Sequence, residues 1–382
     1  MKKVYRRLPA IVFVGFIAVM LVLLIVMPKK DFSVNEKRNL QQAPAFSFAS
    51  FFSKEKTFEN QFENFISDQT PGRDFWVGFN SSFCKILGNT APKGVYYGKD
   101  GYLINDPTET KQLSRNIGFM EEFAVDVKDK LNVPVTVAIA PSTGYVCADK
   151  LPDFHYTYLD DDLFPTFADT FKTARFVDLR DCLKTAYAGG KQVFYRTDHH
   201  WTEDGAYAAY SELGKTLGYT PNPETAYEKT SYPGFYGTTY STSGFWGVAP
   251  DDIEVWDNKA NDGAVSTTIT DGDKVIEQDD MFFYSHLDEN DKYPVYLDGN
   301  HPYTVIKNTK ADSDKKLLVI KDSFAHSLTP FLADHYSEII MVDLRYYANP
   351  CSELIQNENI DEVLILYSLD NLATDDHVGR IG

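Results

Sequence analysis

The chain has 382 residues, of which 43% are apolar and 24% charged, and this composition predicts a folded protein with a sizeable core. The formal net charge of −18 argues against a nucleic-acid partner, because such proteins cluster Lys and Arg against phosphates. The sequence contains no Cys-x-x-Cys pair, which argues against a zinc knuckle or a thiol redox motif. The sequence leaves open whether the four cysteines form disulfides or stay free thiols. They are Cys84, Cys147, Cys182 and Cys351.

The first predicted element is a membrane-spanning helix. Residues 8–27 are uncharged and almost all apolar, which is long enough to cross a bilayer, and no cleavage pattern follows them. We therefore expect an uncleaved, single-pass signal anchor. Four basic residues precede it and favour a cytoplasmic N-terminus, although Lys29 and Lys30 reduce the contrast: Lys2, Lys3, Arg6 and Arg7. The rest of the chain would then be extracytoplasmic.

Three regions follow from these patterns. Residues 1–28 are the cytoplasmic tip and anchor, and residues 29–90 are a juxtamembrane segment with a helix. Residues 91–382 are the predicted catalytic domain, with an insertion of hairpins and loops at about 218–312, where Gly, Pro, Tyr, Thr and Asp are frequent.

A phenylalanine stripe marks the juxtamembrane helix. Its members recur at helical spacing and predict a packing face: Phe51, Phe58, Phe62 and Phe65. Pro71 and Gly72 are expected to end that helix.

Strands and helices alternate from about residue 114. The apolar runs predict strands at 134–140, 175–179, 192–196, 316–320, 338–342 and 362–366. The amphipathic stretches predict helices at 114–131, 164–173 and 202–217, and a turn and helix leading to residue 335. This order predicts an α/β fold with a parallel sheet and helices on both faces, and catalytic side chains at the carboxyl ends of strands.

The densest group of titratable residues is the Thr-Asp-His-His-Trp-Thr segment at 197–202. In an extended segment Asp198 and His200 project to the same side and His199 to the other. Ser323 follows another predicted strand and begins a helix, so it could meet them at the same sheet edge. A serine hydroxyl needs a base such as histidine, and a carboxylate orients that base.

Two plainer interpretations stay open from these residues. Ser323 could only cap a helix, and the Asp-His pair could only be a satisfied hydrogen-bond pair. The Asp-His-His cluster could also bind zinc or manganese in a metal-dependent hydrolase, but no second ligand cluster or H-E-x-x-H motif is present. We therefore expect no metal and no cofactor.

The segment at 197–202 resembles the signature of the DHHW protein family, which resembles the SGNH-hydrolase-like domain of the alginate O-acetylation proteins. Residues 35–40, 65–74, 321–323 and 343–347 are similar to other blocks of these proteins. The resemblance implies an SGNH-like (flavodoxin-like) fold and a membrane-anchored O-acyltransferase, in the first instance an O-acetyltransferase, acting on a cell-envelope polysaccharide or exopolysaccharide. It also implies a multi-pass membrane O-acyltransferase as the acyl donor.

The resemblance further implies roles for single residues. Ser323 would be the nucleophile, His200 the base and Asp198 the orienting acid, and Arg345 matches a position that binds the acyl group or substrate. The backbone N–H of Ser323 is the one oxyanion donor that the pattern identifies. A carbohydrate esterase with the same triad and a non-catalytic glycan-binding or scaffold protein are the alternatives.

Aromatic residues in the insertion form two runs with glycine, at 235–241 and 243–246. Tyr240 and Trp246 are expected to line a sugar-stacking rim, with an aromatic hairpin core as the alternative.

Overall fold

The computed structural model describes residues 2–33, 38–45 and 57–382, without the side chains of residues 2–6 and 57. Its contacts divide the chain into two units. The first contains the described residues up to Lys93 together with Ser241–Gly247, and the remaining residues form the second.

The first unit is mainly helical. Its elements are α1 (Lys2–Val26), β1 (Phe32–Ser33), β2 (Arg38–Asn39), α2 (Thr57–Gln69) and α3 (Arg73–Ile86). Within α1, the 20 residues Arg7–Val26 are long and apolar enough to cross a membrane. The chain turns between α2 and α3 at Gly72, whose φ of 68° lies in the left-handed region that favours glycine.

The phenylalanine stripe lies on α2, except for Phe51, which is outside the described residues. The rings of Phe58 and Phe62 stack at 6.0 Å, but Phe62 is 44% exposed. Phe65 is only partly buried. Within the described part of the unit, the stripe therefore does not form the packing face that its spacing predicted.

The second unit holds the strands and helices of the α/β pattern. Its strands are β3 (Val95–Tyr97), β4 (Leu103–Asn105), β5 (Val135–Ala140), β6 (Arg175–Asp178), β7 (Glu228–Phe235), β8 (Asp251–Asp257), β9 (Val265–Asp271), β10 (Lys274–Gln278), β11 (Tyr303–Asn308), β12 (Lys316–Lys321), β13 (Glu338–Val342) and β14 (Glu362–Ser368). Its helices are α4 (Leu113–Leu131), α5 (Thr143–Val146), α6 (Asp160–Thr170), α7 (Arg180–Ala188), α8 (Glu203–Leu217), α9 (Thr238–Ser243, which begins in this unit), α10 (Ala325–Leu332), α11 (Cys351–Glu358) and α12 (Leu369–Thr374).

Eight strands form one mostly parallel sheet, in the order β10-β9-β11-β13-β12-β14-β5-β6. The five strands from β13 to β6 are parallel, as the alternation predicted. Most residues of β5, β12, β13 and β14 are apolar because both faces of this part of the sheet are covered, and every residue of β5 and β14 is buried.

The insertion contributes more than loops. Strands β9, β10 and β11 come from this segment and extend the main sheet in antiparallel fashion, with β11 pairing to β13. Strands β7 and β8 form a separate antiparallel pair. The short alternating runs of the insertion indicated hairpins correctly but gave no sign that three of its strands would join the parallel sheet.

Helices cover both faces of the sheet. Strand β5 contacts α4 and also α8, while α4 packs with α6 and α12, and α8 packs with α10. Helix α8 begins as its sequence predicted, since the Thr202 hydroxyl accepts the backbone N–H of Gly205 at 3.4 Å. All four cysteines are free thiols, with Cys147 and Cys351 buried.

Candidate active site

Ser323 lies in the turn between β12 and α10, at the carboxyl end of a strand with parallel neighbours on both sides. The preceding Asp322 fixes this turn. Its Oδ1 accepts the backbone N–H of Phe324 at 2.9 Å. Its Oδ2 accepts the backbone N–H of Ser368 at 2.7 Å and the side-chain amide of Asn371 at 2.8 Å. A buried carboxylate therefore ties the serine turn to the end of β14.

The Asp-His-His segment lies in a tight turn. Phe194 and Trp201 pair as an isolated antiparallel bridge, so the chain reverses between them. The predicted strand at 192–196 was therefore wrong, because this run forms an isolated bridge to Trp201 and one hydrogen bond with the backbone of Leu103, and it does not enter the sheet. Asp198 Oδ1 accepts the backbone N–H of His200 at 2.9 Å, and this turn, not strand alternation, brings the two side chains together.

Ser323, His200 and Asp198 form a continuous chain of hydrogen bonds. The Ser323 Oγ lies 2.6 Å from His200 Nε2, and His200 Nδ1 lies 2.5 Å from Asp198 Oδ1. The three residues are 7%, 4% and 1% exposed, respectively. A carboxylate on Nδ1 keeps the proton there and leaves Nε2 free to accept the serine proton, which is the arrangement of a nucleophile with its base.

The insertion completes the surroundings of Asp198. Its Oδ2 accepts the backbone N–H of Thr238 at 2.6 Å and the Thr238 hydroxyl at 3.2 Å. A Cβ at Gly237 would lie 2.1 Å from the same oxygen, so only glycine lets the backbone approach this closely. Sequence reasoning missed both residues, and the Gly-Thr pair within the aromatic run was the one available signal.

Two rings hold the His200 imidazole. The Tyr293 ring stacks on it with centroids 3.9 Å apart and planes 11° apart, and the His199 ring lies at 3.9 Å and 36°. The Tyr293 hydroxyl donates to the backbone carbonyl of Ser323 at 3.1 Å. His199 Nδ1 lies 2.6 Å from the Thr238 hydroxyl. Tyr293 was missed because nothing in its sequence surroundings distinguishes it from other tyrosines of the insertion.

The residues beside Asp198 and His200 in the motif are structural. The indole N–H of Trp201 donates to the carbonyl of Phe324 at 3.1 Å and to the hydroxyl of Ser327 at 2.9 Å. The backbone N–H and the hydroxyl of Thr197 both donate to the buried Asp251 carboxylate at 2.7 Å. Trp201 thus links the histidine turn to the serine turn, and Thr197 fixes the histidine turn to β8.

The Asp198, His199 and His200 side chains each offer an atom that could contact one metal ion, and these atoms lie within 4.8 Å of one another. Each is already used, however. Asp198 accepts from His200 and Thr238, His199 Nδ1 meets Thr238, and His200 Nε2 faces Ser323. The geometry favours an acid–base relay over a metal site.

A cationic cluster lies at the ends of β12 and β13. The Arg345 guanidinium donates to both carboxylate oxygens of Asp343, at 2.8 and 2.5 Å, and to Asn300 at 3.0 Å. Lys321 Nζ lies 2.6 Å from His326 Nε2 and 3.4 Å from Asp343. Burial lowers the pKa of Lys321 to about 8 and lowers the pKa of His326 well below its ordinary value.

The two predicted sugar-stacking residues belong to different units. Tyr240 lies beside the motif, since its backbone N–H donates to the carbonyl of Thr197 at 2.9 Å and its ring lies 4.4 Å from Tyr236. Trp246 belongs to the first unit, where its ring lies 5.2 Å from Phe75 and 45% of the residue is exposed. A role in glycan binding stays a prediction for both.

Comparison with known proteins agrees with this architecture. A family model for the SGNH hydrolase-like domain of the acetyltransferase AlgX matches residues 95–242, and the DHHW protein model matches residues 183–342. The resemblance to these two families is confirmed. Both matches include the Asp-His-His segment, and the DHHW match also includes Ser323.

The individual relatives are distant from this chain in sequence. The chain is 27% identical over 170 residues to the probable alginate O-acetylase AlgJ of Pseudomonas fluorescens, which is 42% of each chain. A DHHW family protein from Eubacterium siraeum shares the fold with a TM-score of 0.63 at 20% identity, covering 76% of this chain and 95% of that one. PatB1 of Bacillus cereus also has a TM-score of 0.63, at 24% identity, covering 72% and 96%. These structures support the SGNH-like fold.

Proposed function

We propose that this protein is an O-acyltransferase that moves an acetyl group onto a hydroxyl of an extracytoplasmic polysaccharide through an acyl-Ser323 intermediate. The observation that carries the proposal is the pair of short contacts from Ser323 Oγ to His200 Nε2 and from His200 Nδ1 to Asp198 Oδ1. The names of the relatives, an alginate O-acetylase and an AlgX-type acetyltransferase domain, supply the reaction class.

In the first half-reaction, Ser323 Oγ attacks the carbonyl carbon of the acyl donor while His200 Nε2 takes the hydroxyl proton. Asp198 stabilises the imidazolium that forms. The carbonyl oxygen becomes an oxyanion, which the backbone N–H of Ser323 can stabilise, since no acceptor for this group is found among the described residues. The intermediate collapses to the serine ester, and the donor's leaving group departs with the proton from His200.

In the second half-reaction a sugar hydroxyl takes the place of the leaving group. His200 removes its proton, the sugar oxygen attacks the serine ester, and Ser323 recovers its proton as the acetylated sugar departs. Water could use the same route, so an esterase differs from a transferase only in the acceptor that reaches the ester. Arg345 is the proposed contact for the acyl donor or the glycan, because its Nη1 makes no hydrogen bond within the described part of the chain.

We place the anchor at α1 with its N-terminus in the cytoplasm and the α/β unit outside, where a multi-pass acyltransferase could deliver the acyl group. The apolar span of α1 and the basic residues before it support this orientation. A reporter enzyme that is active only outside the cytoplasm, fused after Gly382, should be active. Activity of a reporter that works only inside the cytoplasm would reverse the orientation.

Acetyl transfer from an activated aryl acetate to an oligosaccharide acceptor tests the proposed reaction. Ser323→Ala should lower both transfer and aryl acetate hydrolysis by about 10³-fold or more, because the nucleophile is lost. Ser114→Ala, which changes an exposed serine on α4, is the control and should retain full activity. Wild-type activity in Ser323→Ala would rule out the serine ester, and hydrolysis without transfer to any acceptor would favour the esterase.

A further inference from the structure

A small, partly open cavity lies at the carboxyl edge of the sheet, between the segments that follow β5 and β14. Its volume is about 30 Å³, enough for a single water molecule or ion. Its lining includes two carboxyl groups and two hydroxyl groups, from Asp160, Asp370, Thr108 and Ser142. None of these residues belongs to the Ser323 site.

Asp160 is incompletely paired in this cavity. The residue is 1% exposed, and its Oδ1 accepts the backbone N–H of Ser142 at 2.9 Å. Its Oδ2 is buried and has no hydrogen-bond partner among the described residues. A buried carboxylate oxygen without a partner is destabilising, so a bound cation or donor would be expected to satisfy it.

The cavity also has an unbalanced charge. Asp370 accepts the Thr108 hydroxyl at 2.9 Å, and no Lys, Arg or His pairs with the carboxylate of Asp160 or Asp370 within the described chain. Burial, together with the nearby Asp370, raises the pKa of Asp160 to about 7. Burial likewise raises the pKa of Asp370 to about 6, and Asp106 adds to this effect. Two acidic groups thus share a small space with nothing positive between them.

We propose that this cavity binds one calcium ion between the carboxylates of Asp160 and Asp370. All available donors are oxygens, which are the ligands of hard cations, and two carboxylates balance the charge of one divalent ion. Magnesium demands a near-ideal octahedral shell, which carboxyl and hydroxyl groups from separate segments are poorly suited to provide. Calcium accepts irregular shells of carboxylate and hydroxyl oxygens and therefore fits this lining better.

The position of the cavity gives the ion a structural consequence. Asp370 is followed by Asn371, whose side-chain amide donates to the Asp322 carboxylate that holds the Ser323 turn. An ion bound to Asp370 would therefore restrain the start of α12, and with it the support of the nucleophile. The inference does not depend on the proposed acyl transfer, since ion binding can be measured without any substrate.

Thermal unfolding of the full chain in detergent micelles tests the site. After removal of metals with a chelator, 1 mM calcium should raise Tm by about 3 °C or more, because an ion that binds only the folded state stabilises it. Magnesium at the same concentration should give a clearly smaller rise. Asp160→Asn should abolish the calcium response, yet its Tm without calcium should equal or exceed that of wild type because carboxylate repulsion is relieved.

Asp162→Asn provides the matched control, because it removes the same charge from an exposed position in the first turn of the same helix. Its calcium response should equal that of wild type. Asp370→Asn is the second variant and should also lose the response. An unchanged Tm in wild type on calcium addition, or an equal rise in Asp160→Asn, would overturn the proposal.

Terbium luminescence locates the ion independently of stability. Terbium replaces calcium in oxygen sites and emits when a nearby aromatic ring transfers its excitation, and Tyr158 lines this cavity. Excitation of tyrosine should therefore produce terbium emission that calcium displaces. Tyr158→Phe should reduce the emission while keeping the calcium-induced rise in Tm, and full emission from Asp160→Asn would assign the ion elsewhere.

Discussion

Asp198 is the residue whose two oxygens connect the candidate base to the rest of the site. One oxygen accepts from the His200 ring and the other from the backbone and hydroxyl of Thr238. Both oxygens must therefore be acceptors. An asparagine has only one acceptor oxygen, so it cannot satisfy both sets of donors.

Asp198→Asn should consequently lower kcat/KM for an aryl acetate by about 10³-fold or more while the protein stays folded. The loss arises because the amide favours the wrong imidazole tautomer. Asp252→Asn, at an exposed position of β8, is the control with the same change in charge. The account would be contradicted if Asp198→Asn, like the control, kept the wild-type kcat/KM in steady-state kinetics.

At the residue scale, the sequence predicted the partners but not their supports. Asp198 and His200 were paired by alternation and by the family pattern, and the structure does bring them to Ser323, but through a turn. Tyr293 and Gly237 were missed, because each acts through a contact with a residue distant in the chain.

At the scale of elements, the site forms where two turns and one loop contact each other. The β12–α10 turn carries Ser323, the short hairpin that ends at Trp201 carries the base, and the loop before α9 closes over Asp198. Hydrogen bonds between these elements fix their relative positions. Small changes in the loop should therefore alter the chemistry without touching a reacting group.

Gly237→Ala tests this coupling. The new methyl group would lie 2.1 Å from Asp198 Oδ2, so either the loop or the carboxylate must move. We expect kcat to fall by about 10²-fold, since a shift of about 1 Å in a positioned group can cost that much. Tm should fall as well.

Gly118→Ala is the matched control, because Gly118 lies within α4 and a Cβ there would meet no atom of the described chain within 4 Å. It should leave kcat unchanged. Normal kcat in Gly237→Ala would show that the loop before α9 does not position Asp198.

Elements with long apolar runs were predictable, and locally paired ones were not. Strands β5, β12, β13 and β14 coincide with largely apolar stretches. Such stretches are typical of strands in a sheet that is covered on both faces. The run at 192–196 has similar composition, yet it forms only an isolated bridge, from Phe194 to Trp201, and does not join the sheet. Composition alone does not distinguish these two situations.

At the scale of the whole molecule, the fold combines a predictable parallel half with an antiparallel extension. The order β13-β12-β14-β5-β6 follows from strand–helix alternation. Strands β9, β10 and β11 join the parallel strands through the antiparallel pairing of β11 with β13. No local pattern specifies that pairing. The insertion thus supplies both an edge of the sheet and, through Gly237 and Tyr293, part of the site.

The dependence of global stability on pH should reveal the buried carboxyl of Asp160. Burial raises the pKa of Asp160 from 3.8 to about 7, with the nearby Asp370 contributing to the rise and the backbone N–H of Ser142 opposing it. Its stabilising contribution is therefore present below about pH 4 and is lost as pH rises to about 7. The change has an upper bound of roughly 4 kcal/mol.

With a chelator present, Tm of Asp160→Asn minus Tm of wild type should increase between pH 4.5 and 7 and stay constant above it. Arg180 donates to the backbone carbonyl of Asp160 but pairs with the carboxylates of Asp161 and Asp178, so it does not offset the effect. A difference that is flat or decreases with pH would contradict the assigned shift.

The central claim is that Ser323 carries the acyl group, and intact-protein mass spectrometry after rapid acid quenching measures this directly. With an activated acetyl ester, the wild-type chain should gain one acetyl group, and peptide mapping should locate it on Ser323. His200→Ala should gain it far more slowly, and Ser323→Ala should gain none. An acetyl group on any other residue in wild type, or the same gain in Ser323→Ala, would contradict the account.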